Sequence, residues 1–143
     1  LETNLGAKRL RELRKILLTG TCVPKRFPEI FKRFNVKDRV HLHVCLETHH
    51  MSMAGYKLAK MVAFSNIDDI IILTVDGSPH CFQLHVIGQD IRRHWKPDAK
   101  VEHWVIEHGE LIQIDYQTIT VGRHLHRVKK LLEEKASSGG RQE

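Results

Sequence analysis

Apolar and polar residues follow periods along the chain that switch between helical and extended. Residues 5–18 predict an amphipathic helix: Leu10, Leu13 and Leu17 recur at helical spacing, and Lys8, Arg11 and Lys15 take the other side. Gly20 is a natural stop. Pro28 opens a short second helix with Phe27, Phe31 and Phe34 on one core-facing side and Asn35 at its end. At Val40–Glu47 the period becomes two. Val40, Leu42, Val44 and Leu46 point one way, and His41, His43, Cys45 and Glu47 the other. A strand with one semi-polar face belongs at a sheet edge or beside a cleft. Thr48 is the expected cap of the next helix, whose stripe of Met51, Ala54, Leu58, Met61 and Val62 reads as core.

Asp69–Val75 is a continuous, β-branched run, as a central parallel strand requires. The turn Asp76-Gly77-Ser78-Pro79 follows, with Ser78 suited to cap a helix and Pro79 to its first position. Leu84, Ile87, Ile91 and Trp95 continue that helix until Pro97. Gly88 interrupts it, and residues 81–87 alternate well enough to read as a strand instead. Val101–Glu107 and Glu110–Asp115 flank His108-Gly109, the signature of a tight hairpin. Residues 118–135 predict a final helix with Val121, Leu125, Val128 and Leu132 inward, and residues 136–143 a disordered tail.

The elements predict an α/β, three-layer-like domain: a small, mostly parallel sheet on a βαβ core, an antiparallel C-terminal hairpin and two N-terminal helices. Residues 1–135 form one domain, with 1–39 a basic helical segment and 40–135 a βαβαββα core. The chain's 143 residues suffice to bury such a core. No apolar run approaches the roughly 20 residues needed to span a bilayer, and no signal peptide opens the chain. The expectation is therefore a cytoplasmic domain without a membrane partner. The chain opens on Leu1, as an internal piece of a longer gene product would.

Charge and cysteine content sharpen the picture. The net charge is +6, but residues 1–39 carry 11 Lys/Arg against 4 Asp/Glu, so the basic character is N-terminal. Residues 8–39 could attract nucleic acid or an acidic protein through Lys8, Arg11, Lys15, Lys25, Arg26, Lys32 and Arg33, or simply form a solvated face. The three cysteines, Cys22, Cys45 and Cys81, are odd in number and lack a Cys-x-x-Cys pair. That argues for a reducing compartment.

Ligands of open α/β sheets bind beyond the carboxyl ends of the strands. Two such ends are readable: Glu47-Thr48-His49-His50 and Asp76-Gly77-Ser78-Pro79-His80-Cys81. If the strands before them are neighbours, one rim gathers carboxylates, histidines, a thiol and hydroxyls, and three chemistries follow. A transition-metal ion such as zinc or iron would use His49, His50, His80, Cys81 and His85, with Asp76 in support. A nucleophilic Cys81, activated by the helix terminus, would use His49, His50 or His80 as base and Asp76 or Glu47 as orienting carboxylate for hydrolysis or group transfer. A small molecule or anion would bind Glu47, Thr48, Gly77 and Ser78. Taken singly, each of these histidines reads as a surface or hydrogen-bonded side chain, and His103, His108, His124 and His126 read as surface residues. His124 and His126, two apart on a helix, should face different ways. An iron–sulfur cluster on Cys22, Cys45 and Cys81 has no recognised spacing. The Asp-Gly-Ser-Pro turn lacks the glycine-rich pattern of nucleotide sites.

Overall fold

Ile16, Leu17 and Leu18 are three apolar residues in a row, and a surface helix cannot bury all three. In the computed structural model, which describes residues 7–46 and 50–137, the N-terminal helix stops before them. Helix α1 spans only Lys8–Leu13, and Arg14 ends it with a left-handed φ of 57°. Lys15–Gly20 then forms strand β1. The helix expected over residues 5–18 is thus a short helix followed by a strand. Leu17 at helical spacing from Leu10 and Leu13 misled, because a short apolar run fits a buried strand as well as a helix.

The chain continues through α2 (Val23–Arg26), α3 (Pro28–Phe34), β2 (Val40–Val44), α4 (Met51–Phe64), β3 (Asp69–Val75), α5 (Pro79–His94), β4 (Lys100–Glu107), β5 (Glu110–Ile114), α6 (Tyr116–Gly122) and α7 (Leu125–Ser137). The five strands lie in the order β2-β1-β3-β4-β5. The first four are parallel; β5 pairs antiparallel with β4. This is the mixed α/β sheet with an antiparallel hairpin that the pattern predicts. His108 and Gly109, at φ 50° and 78°, make the turn. Strand β2 is an edge strand, as its semi-polar face implied. It is not beside β3, however, because β1 lies between them.

Both faces of the sheet are covered. Ile16 and Leu18 join Ile70, Ile72, Leu42 and Val44 under α4, α5 and Leu10 of α1. Leu17 and Leu73 point the other way, to Val23 and Ile30 of α2 and α3, with Phe27, Phe31 and Phe34 packed alongside. Helix α5 starts as its sequence predicts, the Ser78 hydroxyl accepting the Cys81 amide, so residues 81–87 are helix and not strand. Helix α4 is capped by His50, whose Nδ1 accepts the Ser52 amide at 3.1 Å; Thr48 lies outside the described residues. The C-terminal helix breaks at Arg123–His124. Helix α7 buries no residue: Leu125 is 81% exposed and Leu132 57%, against the inward stripe expected. It runs to Ser137, so the proposed tail begins in helix, and residues 138–143 lie outside the described part.

Gly88 explains its own presence in α5. A Cβ there would sit 2.2 Å from Cδ1 of the fully buried Ile72. The glycine lets the helix lie against β3, at a helix-propensity cost of about 1 kcal/mol. Gly88→Ala should therefore lower unfolding stability in urea by roughly 1–3 kcal/mol despite the better helix former. Adding Ile72→Val, which removes the clashing methyl, should recover part of the loss. A neutral or stabilising Gly88→Ala would show that the contact is not tight.

Candidate functional site

The chain leaves β1 for β2 on one side and returns over β1 to reach β3 on the other. The carboxyl ends of β1 and β3 therefore flank the sheet's switch point, where open α/β sheets hold their ligands. From β1 come Gly20, Thr21 and Cys22; from β3 come Asp76, Gly77 and Ser78, leading into Cys81 of α5. The sequence pattern does not bring Cys22 to this rim, because the strand before it carries a helical spacing of leucines. The carboxyl end of β2 is at the same end of the sheet, since the strands are parallel, but one strand removed, about 10 Å from β3.

Three of the expected site residues, Glu47, Thr48 and His49, lie outside the described residues. His50 is exposed and occupied as a helix cap. His80 and Cys81 are half-buried in the first turn of α5. Cys81 and His85, four apart, diverge in their contacts: the Cys81 sulfur lies 3.5 Å from where a Cβ on Gly20 would be, whereas His85 reaches Thr74 and His103. Among the described residues no group of three His, Cys, Asp or Glu side chains is arranged to hold a metal ion.

The local fields at Cys81 oppose the expected activation. Burial pushes its thiol above the ordinary value. Hydrogen bonding to the Val75 backbone and to Ser78 pulls the other way and does not win, and the Cys22 and Cys45 thiols add to the upward push. Cys45 lies just past β2, not mid-strand, and all three cysteines are half-buried and outside any disulfide.

Beside the turn from β3 to α5 opens a cavity of about 440 Å³. Its walls are mostly apolar, with Val75, Phe82, Val105, Ile114 and Ile119 prominent, while Asp76, Gly77, Ser78, Thr74, Thr118 and His85 supply polar groups. No lysine or arginine lines it. The cavity owes its shape to the hairpin and α6. Asp115 caps α6, its carboxylate accepting the Thr118 amide at 2.7 Å. Gln89 of α5 donates to Thr120 of α6 at 2.8 Å and accepts from Arg123.

A buried polar chain runs inward from the cavity wall. Thr74 Oγ1 lies 2.7 Å from His85 Nε2, and His85 Nδ1 lies 2.9 Å from His103 Nδ1. Each histidine is only 3% exposed, which corrects the reading of His103 as a surface residue. The available signal was its parity with Val101 and Val105 on β4, which puts it on the face covered by α5. Burial pushes His85 down to about 3, with His103 adding to the effect, and holds His103 near 4, with Arg92 adding. Both rings are thus neutral at pH 7, and one Nδ1 must donate while the other accepts. His41 is also held near 4, chiefly by burial, with its Nε2 2.8 Å from the Thr19 hydroxyl. His124 and His126 are exposed as expected, but their rings are 6.0 Å apart because the helix breaks at His124.

The basic N-terminal residues do not make one face. Leu10 anchors α1 in the core cluster of one sheet face, and Val23 and Ile30 anchor α2 and α3 in that of the other. Several of the charges are also paired, Lys8 with Glu12, Lys15 with Asp38 and Lys32 with Glu29. No helix among the described residues is long and apolar enough to cross a membrane.

The family model of the Rossmann-like domain matches residues 7–139. No curated protein and no solved structure matches the chain.

The neutral histidine pair makes stability depend on pH. Both folded values lie below the unfolded value of about 6.5. The pair's contribution is therefore complete above that pH and is lost as pH falls toward 4, where the unfolded chain alone takes up protons. Unfolding free energy should drop by a few kcal/mol between pH 7 and pH 4. The double variant His85→Leu/His103→Leu should flatten that slope. An unchanged slope in the double variant would show that the pair is not its source.

Proposed function

Because the chain belongs to the Rossmann-like domain family, we propose that it is a ligand-binding domain whose small-molecule site is the cavity between the β3–α5 turn and α6. The cavity itself carries the reading. Its volume falls in the roughly 300–1,000 Å³ range of small-molecule sites, and it combines apolar walls with a few converging polar groups. The ligand chemistry follows from the lining. With no cationic side chain in the wall and Asp76 at the turn, a phosphate-rich nucleotide meets no side chain that could neutralise it. A neutral or weakly cationic ring compound can stack on Phe82 and exchange hydrogen bonds with Thr74, Ser78, Thr118 and His85.

This reading retains the turn residues Asp76, Gly77 and Ser78 expected from the sequence and adds α6. Catalysis by Cys81 has less support, because its burial favours the protonated thiol. Nucleic-acid binding through residues 8–39 has less support too, because their charges are divided between two sheet faces.

Ligand-observed NMR against a library of neutral heterocycles tests the proposal. Hits should bind the native chain and lose at least tenfold in affinity to Ile114→Trp, a half-buried position on β5 where an indole fills the cavity. The variant's unfolding midpoint should stay within a few degrees of the native one. Hits that bind the variant equally well would place the site elsewhere.

A further inference from the structure

Helix α7 runs for 13 residues and buries none of them. Its apolar residues are nevertheless aligned. Leu125, Val128 and then Leu131 and Leu132 follow at steps of three and four, so they share one face. Leu125 is 81% exposed, Leu131 53% and Leu132 57%. A helix this short is marginal in water unless such a face is packed.

The charges that border the stripe say what covers it. Arg127 and Glu134 are seven residues apart, two turns, and border it on the same side, the cation nearer the amino end. Neither has an ion-pair partner among the described residues. Lys129 and Glu133 border the other side in the same order, cation first. They reach each other at 3.8 Å within the helix, both well exposed. A helix with this order on both borders is complementary to its own reverse. When two copies lie antiparallel with their stripes in contact, each border meets the same border running the other way. Arg127 of one copy then lies beside Glu134 of the second, and Lys129 beside Glu133, each twice over by symmetry. Parallel copies would bring opposite borders together, setting Arg127 beside Lys129 and Glu134 beside Glu133, like charge against like.

We infer that α7 is a self-association surface through which two copies of this chain pair antiparallel. Leu125, Val128, Leu131 and Leu132 form the dry seam, and the two charged borders set its direction. The helix is about 20 Å long. Contact through it alone is smaller than a standard interface, so the dimer is reversible and of micromolar rather than nanomolar strength. The monomer does not need α7 to hold its fold, because α6 is tied to α5 independently, through Gln89 to Thr120 and Arg123 to Asp90.

The test is analytical ultracentrifugation of the full chain, from micromolar concentrations to about 1 mM. The native chain should show a concentration-dependent equilibrium between monomer and dimer. Leu132→Asp, which puts a charge into the seam, should leave only monomer. Arg127→Glu and Glu134→Arg should each weaken the dimer by roughly tenfold, since each turns two symmetric attractions into repulsions. The double variant Arg127→Glu/Glu134→Arg should regain native association. An equimolar mixture of the two single variants should associate more tightly than either alone. All of them should keep the native far-ultraviolet circular dichroism and the native unfolding midpoint in dilute solution. A native chain that stays monomeric throughout overturns the inference, whether or not α7 then binds vesicles of anionic lipid. So does association that survives Leu132→Asp, and so does an Arg127→Glu variant that associates more tightly than the native chain, as a parallel pair would.

Discussion

Everything in this fold depends on burying both faces of one short strand. Ile16, Leu17 and Leu18 are completely buried, and their side chains alternate between two sheet faces. That is possible only with a strand paired on each edge and helices on each side. Strands β2 and β3 supply the pairing, α2 and α3 cover one face, and α4 and α5 cover the other. Once β1 is central, the chain must reverse its winding there, and the carboxyl end of β1 becomes the natural place for a ligand. Gly20 and Cys22 are at that end.

The β3–α5 turn has a different environment on each side. Towards β1, Cys81 lies beside Gly20, with the Cys22 sulfur near the same glycine, in a half-buried setting. Towards β4 and α6, Phe82 and His85 line an apolar cavity backed by two neutral histidines. One helix terminus, fixed by the Ser78 cap, positions both sets of groups. The buried Thr74–His85–His103 chain is costly to desolvate and is kept tolerable by its two short hydrogen bonds.

Most of this architecture was legible in the sequence where period and punctuation agreed. The alternation of Val40–Val44, the β-branched Asp69–Val75, the Ser78-Pro79 start and the His108-Gly109 turn each identified its element. The central strand was not legible, because Leu10, Leu13 and Leu17 share a helical spacing that ends inside it. That single misreading hid Cys22 and made β2 and β3 neighbours. His103 was read as a surface residue because a histidine on a strand gives no sign of burial except its parity with Val101 and Val105. The exposed stripe of α7 shows the converse, a helical pattern with no partner among the described residues to bury it.

The place of β1 between β2 and β3, which brings Cys22 and Cys81 to either side of Gly20, can be read directly with a short reagent that joins two thiols. Dibromobimane fluoresces when it joins two thiols, and peptide mapping identifies the pair. The native chain should give an intramolecular product in which Cys22 joined to Cys81 dominates, and Gly20→Ala should slow its formation. No intramolecular product, or one joining only Cys45 to Cys81, would contradict the placement of β1 and with it the account of the rim.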